Sequence, residues 1–314
     1  MLIEMLDLSP LEKLVDAIQN GKWKTAEDLI KLLVEQPTGR SDLSEENFKR
    51  RIIKIIKDEY MDCKKKTSRE KVTFALLSGH QEEYNEEIPE LRDRLIEASQ
   101  IFTDELCHGE ETISNKASDF IKTGETILTY GCSSYVKRFL LKAAETQKFT
   151  VVYVSSGSKS LDSEMVKAFS SRQSLRVVVI PHSNVFAMMP RVTTIVVEPQ
   201  AVYANGGFMA VSGMHVIALA ALHYSKTFLV CGPTTKYSPK YGTARDEAFD
   251  KIQPADDMLP SIDKNLLGQA YALNSLYDYV PPELVTLFIT ETGDHPPGYC
   301  YRIVREIYGT EEDI

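Results

Sequence analysis

Apolar positions follow one rule before about residue 123 and another after it. In the first stretch they recur every three or four residues, the spacing of one face of an α-helix. Phe48, Ile52, Ile55, Ile56 and Tyr60 make one such face, and Leu91, Leu95, Ala98, Phe102 and Leu106 make another. Ser9-Pro10-Leu11-Glu12 reads as a capping box with proline at the first helical position, and Gly21 ends that helix. Further helices are expected over residues 25–36 and after Ser68. These patterns predict a helical N-terminal domain over residues 1–123.

From Glu125 the pattern changes to short continuous apolar runs at residues 127–129, 151–154, 175–180, 194–197 and 227–231. Helical patterns over 134–147 and 162–171 separate some of them. Unbroken apolar runs describe strands covered on both faces, which is how parallel sheets are built. The predicted fold class is α/β, with a Rossmann-like, doubly wound parallel sheet over residues 124–314. Residues 208–224 read as one helix. Residues 233–265, rich in Pro, Asp and Lys, read as a surface excursion.

The chain has 314 residues, with 36 Lys and Arg against 45 Asp and Glu, a formal net charge of −9. An acidic chain lacks the basic footprint of broad nucleic-acid binding, so no direct nucleic-acid partner is expected. The acidic excess is concentrated in residues 1–123, which carry 26 acidic and 19 basic side chains. Glu82, Glu83, Glu86, Glu87 and Glu90 are its densest run. Residues 49–71 reverse the sign locally, with ten Lys and Arg against four acids. Both charge runs read as solvated faces or as steering surfaces for a partner of opposite sign.

Five cysteines, widely spaced, do not suggest a disulfide framework or a zinc site, and a reducing compartment is expected. No basic segment opens the chain and no apolar run approaches the roughly 20 residues of a membrane span. A secretory leader and a membrane are therefore not expected. The six histidines form no HExxH-type pair, so no metal is expected.

Two short stretches invite chemistry. Gly131-Cys132-Ser133 closes the first strand of the sheet, where α/β folds place ligands. Cys132 is either a nucleophile activated at a helix start or a small residue packed under the next helix. Asn205-Gly206-Gly207 is either an anion cradle of backbone N–H groups at a helix mouth or a tight turn needing positive φ. Neither G-x-G-x-x-G nor a P-loop is present.

Longer motifs carry a family resemblance. The run Tyr277-Asp278-Tyr279-Val280-Pro281-Pro282-Glu283-Leu284-Val285-Thr286-Leu287-Phe288-Ile289 resembles the alpha/beta/delta regulatory subunits of translation initiation factor 2B. So do Ala204-Asn205-Gly206-Gly207 with Ala210-Val211-Ser212-Gly213, and Tyr301-Arg302-Ile303-Val304-Arg305-Glu306-Ile307-Tyr308. The resemblance is dense over residues 125–314 and looser before. Tyr277-Asp278-Tyr279-Val280 and the closing Tyr301–Tyr308 stretch favour the beta type.

The resemblance implies a non-catalytic, cytosolic subunit of the exchange factor for initiation factor 2, without cofactor. Its partners would be the alpha, gamma, delta and epsilon subunits and initiation factor 2, chiefly the alpha subunit of the latter. The same fold also serves isomerases of methylthioribose 1-phosphate and ribose 1,5-bisphosphate, which is the enzymatic alternative. Their catalytic cysteine falls on Gly131 and their aspartate on Gln200. Their Asn-Gly-Asp falls on Asn205-Gly206-Gly207, and their Asn-Lys pair on Ala210-Val211. Glycine offers no thiolate and glutamine no exchangeable carboxyl proton. No catalytic residue is therefore expected, and Gly131, Cys132, Ser133, Gln200, Asn205, Gly206 and Gly207 would line a vestigial pocket. A metabolite-binding module keeping that pocket is the third possibility. Tyr279, Pro281, Pro282 and Leu284 are the expected subunit-interface residues, in a segment feeding an apolar helix.

Overall fold

In the computed structural model the chain divides into two compact units, Met1–Cys107 with Arg305–Ile314, and His108–Val304. The structure describes residues 108–157, 159–241 and 274–308. The helices expected before residue 107, the Glu82–Glu90 run, the basic stretch 49–71 and residues 242–265 of the expected excursion lie outside them.

Seven strands form the main sheet. β1 (Thr126–Tyr130), β2 (Phe149–Ser155) and β3 (Leu175–Pro181) make one half of it. β4 (Thr194–Val197), β7 (Thr227–Cys231) and β10 (Leu287–Ile289) lie in the other. β11 (Asp294–His295) closes the edge antiparallel to β10. The order is β11-β10-β7-β4-β1-β2-β3, and all pairs except β11–β10 are parallel. The parallel strands thus follow the doubly wound order expected of a Rossmann-like sheet.

Both faces are covered, which explains the unbroken apolar runs. On one face Ile127, Val151, Tyr153 and Val196 pack under α1 (Ala117–Phe120), α2 (Ser134–Ala143) and α3 (Lys159–Ser170). Ile113, Ala117 and Ile121 belong to this core. α2 starts where Ser133 caps it and buries Val136, Phe139, Leu140 and Ala143 at helical spacing.

The other face carries a second sheet that periodicity did not predict. Its strands are β5 (Ala201–Tyr203), β6 (Phe208–Val211), β8 (Tyr237–Ser238) and β9 (Tyr277–Val280), in the order β8-β5-β6-β9. Phe208 of β6 meets Phe228 and Phe288 of the large sheet, with ring centroids 6.3 Å from each. Residues 208–224 are therefore not one helix. Their first four form β6, and Gly213, at φ 97°, breaks the run before α5 (Met214–His223). A buried strand and a buried helix share the same continuous apolar signature.

Two further expectations are corrected. Thr234, Thr235, Tyr237 and Ser238, at the start of the expected surface excursion, are buried. The segment after Tyr279 leads through a 3-10 turn (Pro282–Leu284) into β10 rather than into a helix. The closing Tyr301–Tyr308 stretch is helical, within α6 (Cys300–Tyr308), and a four-residue helix α4 (Val185–Met188) precedes β4.

Candidate functional site at the strand ends

Strand order reverses between β1 and β4, whose C-terminal ends lie side by side at the switch point. In doubly wound sheets this is where ligands bind. Gly131-Cys132-Ser133 follows β1 and Glu198-Pro199-Gln200 follows β4. Three side chains bridge the gap. The Ser133 hydroxyl donates to the Glu198 carboxylate while its oxygen accepts the Val136 N–H at 3.0 Å. The other Glu198 oxygen accepts from the Lys236 ammonium. Lys236 donates also to the Pro199 carbonyl at 3.0 Å and lies over the Tyr135 ring at 5.8 Å. The Lys236 and Glu198 side chains are 13% and 16% exposed. The switch point is thus crossed by an ion pair of the chain's own making.

Cys132 stands beside this bridge, and its thiol is not activated. Burial pushes its pKa up, and the Glu164 and Glu198 carboxylates add to that against the opposing pull of Lys137. Cys132 is partly buried against the core, and a thiol held above its ordinary pKa carries less thiolate at neutral pH. Beyond Cys132, Asp162 at the start of α3 gathers the end of β2. It accepts from Tyr153 at 2.8 Å, from the Ser155 hydroxyl at 2.5 Å, and from the Ser156 N–H and hydroxyl at 3.1 and 2.8 Å. Burial acts to raise this carboxyl, but the Ser155 and Ser156 hydrogen bonds prevail and hold it below the usual carboxylate range.

The structure brings Gly131 and Val211 together: a Cβ at Gly131 would lie 4.0 Å from a Val211 methyl. Gln200 donates its backbone N–H to Met209 at 2.7 Å, tying the end of β4 to the second sheet.

Asn205-Gly206-Gly207 does not open a helix; it is the hairpin turn joining β5 to β6. The Gly206 N–H goes to the Tyr203 carbonyl at 2.9 Å and the Gly207 N–H to Asn205 Oδ1 at 3.1 Å. Both amides of the supposed cradle are used within the turn. Glycine is required there by close approach. A Cβ at Gly206, itself at φ 81°, would lie 2.4 Å from the Pro297 carbonyl oxygen, and one at Gly207 would lie 2.2 Å from the Tyr279 hydroxyl.

The N-terminus of α5, the natural anion site nearby, is occupied by the chain's own carboxylate. Asp278 Oδ2 accepts the Gly213 N–H at 2.6 Å and the His215 N–H at 3.3 Å. The pairing of β6 with β9, Ala210 opposite Asp278, puts it there.

Of the expected interface residues, Tyr279 and Leu284 are buried within the chain and Pro281 and Pro282 are half-buried. The Tyr279 hydroxyl accepts from the Asn205 side chain at 2.9 Å, and its ring meets Tyr203 at 6.0 Å. Large apolar side chains do reach solvent elsewhere. Val216, Leu219 and Leu222 on α5 are 54%, 50% and 57% exposed, and Phe186 on α4 is 52% exposed. Phe186 continues this face through ring contacts with His223 and Tyr224 at 5.3 and 5.2 Å.

Sequence reasoning missed Glu198, Lys236, Asp278 and Asp162. Glu198 was visible as a lone charge ending an apolar run, whereas Lys236 fell within the expected excursion. Among the described residues no cluster of His, Cys, Asp and Glu could hold a metal ion, and no helix is long and apolar enough to cross a membrane.

The initiation factor 2 subunit family matches the chain over residues 4–297. The translation initiation factor eIF2B subunit beta of Dictyostelium discoideum is 34% identical over 230 residues, 73% of this chain and 59% of that protein. Its counterpart in Schizosaccharomyces pombe is 32% identical over 231 residues, 72% and 57%. The matched part thus spans less than two thirds of these relatives. Among solved structures, eIF2B beta from Chaetomium thermophilum superposes with a TM-score of 0.69 at 23% identity, covering 96% of this chain and 85% of that one. The tetrameric eIF2B-beta2-delta2 complex from C. thermophilum gives 0.68 at 20% identity, covering 94% and 86%. The 5-methylthioribose 1-phosphate isomerase of Pyrococcus horikoshii OT3 gives 0.54 at 17% identity, covering 95% and 87%. These structural likenesses are likenesses of fold.

Proposed function

The chain belongs to the initiation factor 2 subunit family, and from that premise we propose that it is a non-catalytic regulatory subunit of the guanine-nucleotide exchange factor for initiation factor 2. It works in the cytosol beside alpha, gamma, delta and epsilon subunits. With the alpha and delta subunits it forms a core that grips the alpha subunit of initiation factor 2 and responds to its phosphorylation. The helical domain expected over residues 1–123 and the sheet domain over 124–314 are part of this reading, with Ile113, Ala117 and Ile121 contributing to the core of the second.

The observation that carries the non-catalytic part is the Ser133–Glu198–Lys236 bridge at the switch point. A sugar phosphate entering at the switch point would have to displace the Ser133–Glu198–Lys236 bridge. It would find Gly131 and Gln200 where the resemblance places the isomerases' cysteine and aspartate, and Val211 where it places their lysine. Asp278 already fills the α5 N-terminus and would repel a phosphate there.

The assembly part rests on α5, which is apolar on its outward as well as its inward face. A helix apolar all round is one that expects cover on both sides. It packs against the turn Pro282–Leu284 and against α4. In this reading the subunit contact, chiefly with delta, is made by Val216, Leu219, Leu222 and Phe186 with Pro281 and Pro282 alongside. Tyr279 and Leu284 hold the segment from within.

Two measurements test the proposal together. Tagging the chain at its endogenous locus is expected to recover the other four exchange-factor subunits. Turnover assays on methylthioribose 1-phosphate and ribose 1,5-bisphosphate are expected to show no product. Recovery of the chain alone, with product formed, reverses the reading in favour of an isomerase.

A further inference from the structure

The exposed apolar face is built from two segments distant in the chain. α5 supplies Val216, Leu219 and Leu222, and α4 supplies Phe186. At the C-terminal end of α5 the two segments meet directly. The Phe186 ring lies against His223 and Tyr224, and the Lys226 ammonium donates to the Pro190 carbonyl at 3.2 Å. At its N-terminal end α5 is held through two backbone residues, Ser212 and Gly213, which join it to β6.

All four backbone polar groups of Ser212 and Gly213 are bonded. The amides go to the β9 segment: Ser212 N–H donates to the Leu276 carbonyl at 3.0 Å, and Gly213 N–H to Asp278 Oδ2 at 2.6 Å. The carbonyls go to the large sheet. Tyr130, the last residue of β1, donates its hydroxyl to the Ser212 carbonyl at 2.6 Å. His182 follows β3 and opens the turn that leads into α4, and its Nε2 lies 3.0 Å from the Gly213 carbonyl. A carbonyl only accepts, so Nε2 carries a proton and donates it. The Tyr130 and His182 rings meet edge to face at 5.4 Å. A Cβ at Gly213 would lie 2.6 Å from His182 Nε2, so glycine is what lets the imidazole reach the backbone.

These bonds settle what packing leaves open. The stretch Met214–Tyr224 contains no Lys, Arg, Asp or Glu. A surface helix is normally turned about its axis by burying one apolar stripe and exposing a polar one. α5 is apolar on both sides, so burial alone does not choose which side faces the partner. Its inward side includes Ala218, Ala220 and Ala221, whose short side chains make shallow ridges against their neighbours. Directional hydrogen bonds at Ser212 and Gly213 supply the missing choice.

We propose that Tyr130 and His182 are positioning residues of the subunit contact: by holding the Ser212 and Gly213 carbonyls they turn Val216, Leu219 and Leu222 outward, in line with Phe186. His182 does so as part of the segment that carries Phe186, which makes its bond the join between the two halves of the face. The inference rests on the reading of α4 and α5 as the contact with delta, and adds the residues that align it. A chain whose α5 is turned away binds only after turning back, so its apparent affinity falls with the aligned fraction.

The full chain and the delta subunit provide the test. Tyr130→Phe keeps the ring and deletes one donor; His182→Ala deletes the other. Each is expected to weaken association by about three- to tenfold, the equilibrium weight of one hydrogen bond acting on the aligned state. Sedimentation far below each variant's denaturation midpoint counts folded chains, so a loss of stability alone does not move the result. His182→Gln, whose side-chain amide donates from the place of Nε2, is expected to restore association. Should His182→Ala misfold, Tyr130→Phe decides. Leu222→Glu in the same assay separates the two readings. Undiminished association of Leu222→Glu overturns both, because the contact then lies elsewhere. Weakened association of Leu222→Glu, with native association of folded Tyr130→Phe and His182→Ala, overturns the positioning proposal and leaves the contact standing. A His182→Gln chain that binds no better than His182→Ala overturns the proposal as well.

Discussion

Lys236 and Glu198 form an ion pair that water reaches only in part, so removing one partner strands the other. Lys236→Ala is expected to destabilise the chain toward the lower end of about 3–5 kcal/mol, because each side chain keeps some solvent contact. Denaturant midpoints check this, and Glu198→Gln combined with Lys236→Met should recover most of the loss. Asp162 makes a pH-dependent prediction. Its depressed pKa means it stabilises the fold above the ordinary carboxylate value, and the contribution fades as pH falls through the folded-state value. Asp162→Asn should therefore lower the melting temperature at pH 7 and match the native chain in strong acid. A gap of equal size at both pH values would refute that account. At Cys132 the raised pKa predicts slower alkylation than a free thiol at neutral pH. The sequence placed Gly131, Cys132 and Ser133 at a strand end because strand ends are locally marked. It could not pair Ser133 with Glu198 and Lys236, since a lone charge carries no information about a partner 65 or 38 residues away.

Elements were legible wherever one period held without competition. The parallel strands β1, β2, β3, β4 and β7 and the helices between them follow from apolar runs and helical spacing. The second sheet does not, because its strands are short and its apolar residues continue straight into α5. Phe208, Met209 and Ala210 are all buried, so no alternation marks β6 as a strand. β8 was hidden by the polar company of Thr234, Thr235 and Lys236, two of which are buried despite their type. Two substitutions separate the hairpin from the anion cradle. Gly207→Ala sets a methyl against the Tyr279 hydroxyl and is expected to cost about 1–3 kcal/mol through overpacking. A cradle open to solvent would tolerate alanine at that site far better. Asp278→Ala removes the cap of α5 and is expected to cost about 0.5–2 kcal/mol, read as a lowered melting temperature.

Over the whole molecule the resemblance carried further than the physics of any one segment, since it joined motifs from residues 125 to 308 that no local pattern connects. It misjudged which apolar side chains face outward, because a proline- and tyrosine-rich run looks alike whether it packs inward or outward. Leu222→Glu on the exposed face of α5 is expected to change folding stability by less than about 0.5 kcal/mol. It should weaken association with the delta subunit by at least about tenfold, the usual weight of a central interface residue. Sedimentation of the mixed subunits reads both states, and undiminished association would move the contact to another face. The strand order also has a consequence for how the molecule is made. β10 completes the large sheet beside β7, and β9 completes the small one beside β6. A ribosome extending at about 5–20 residues per second needs roughly 3–11 s to pass from Cys231 to Leu287. Through that interval the nascent β6 and β7 wait with unpaired edges, which are templates for wrong pairing. A message cut short before Tyr277 would leave both edges bare for good, and its product should be a client of chaperones and proteases rather than a smaller working subunit.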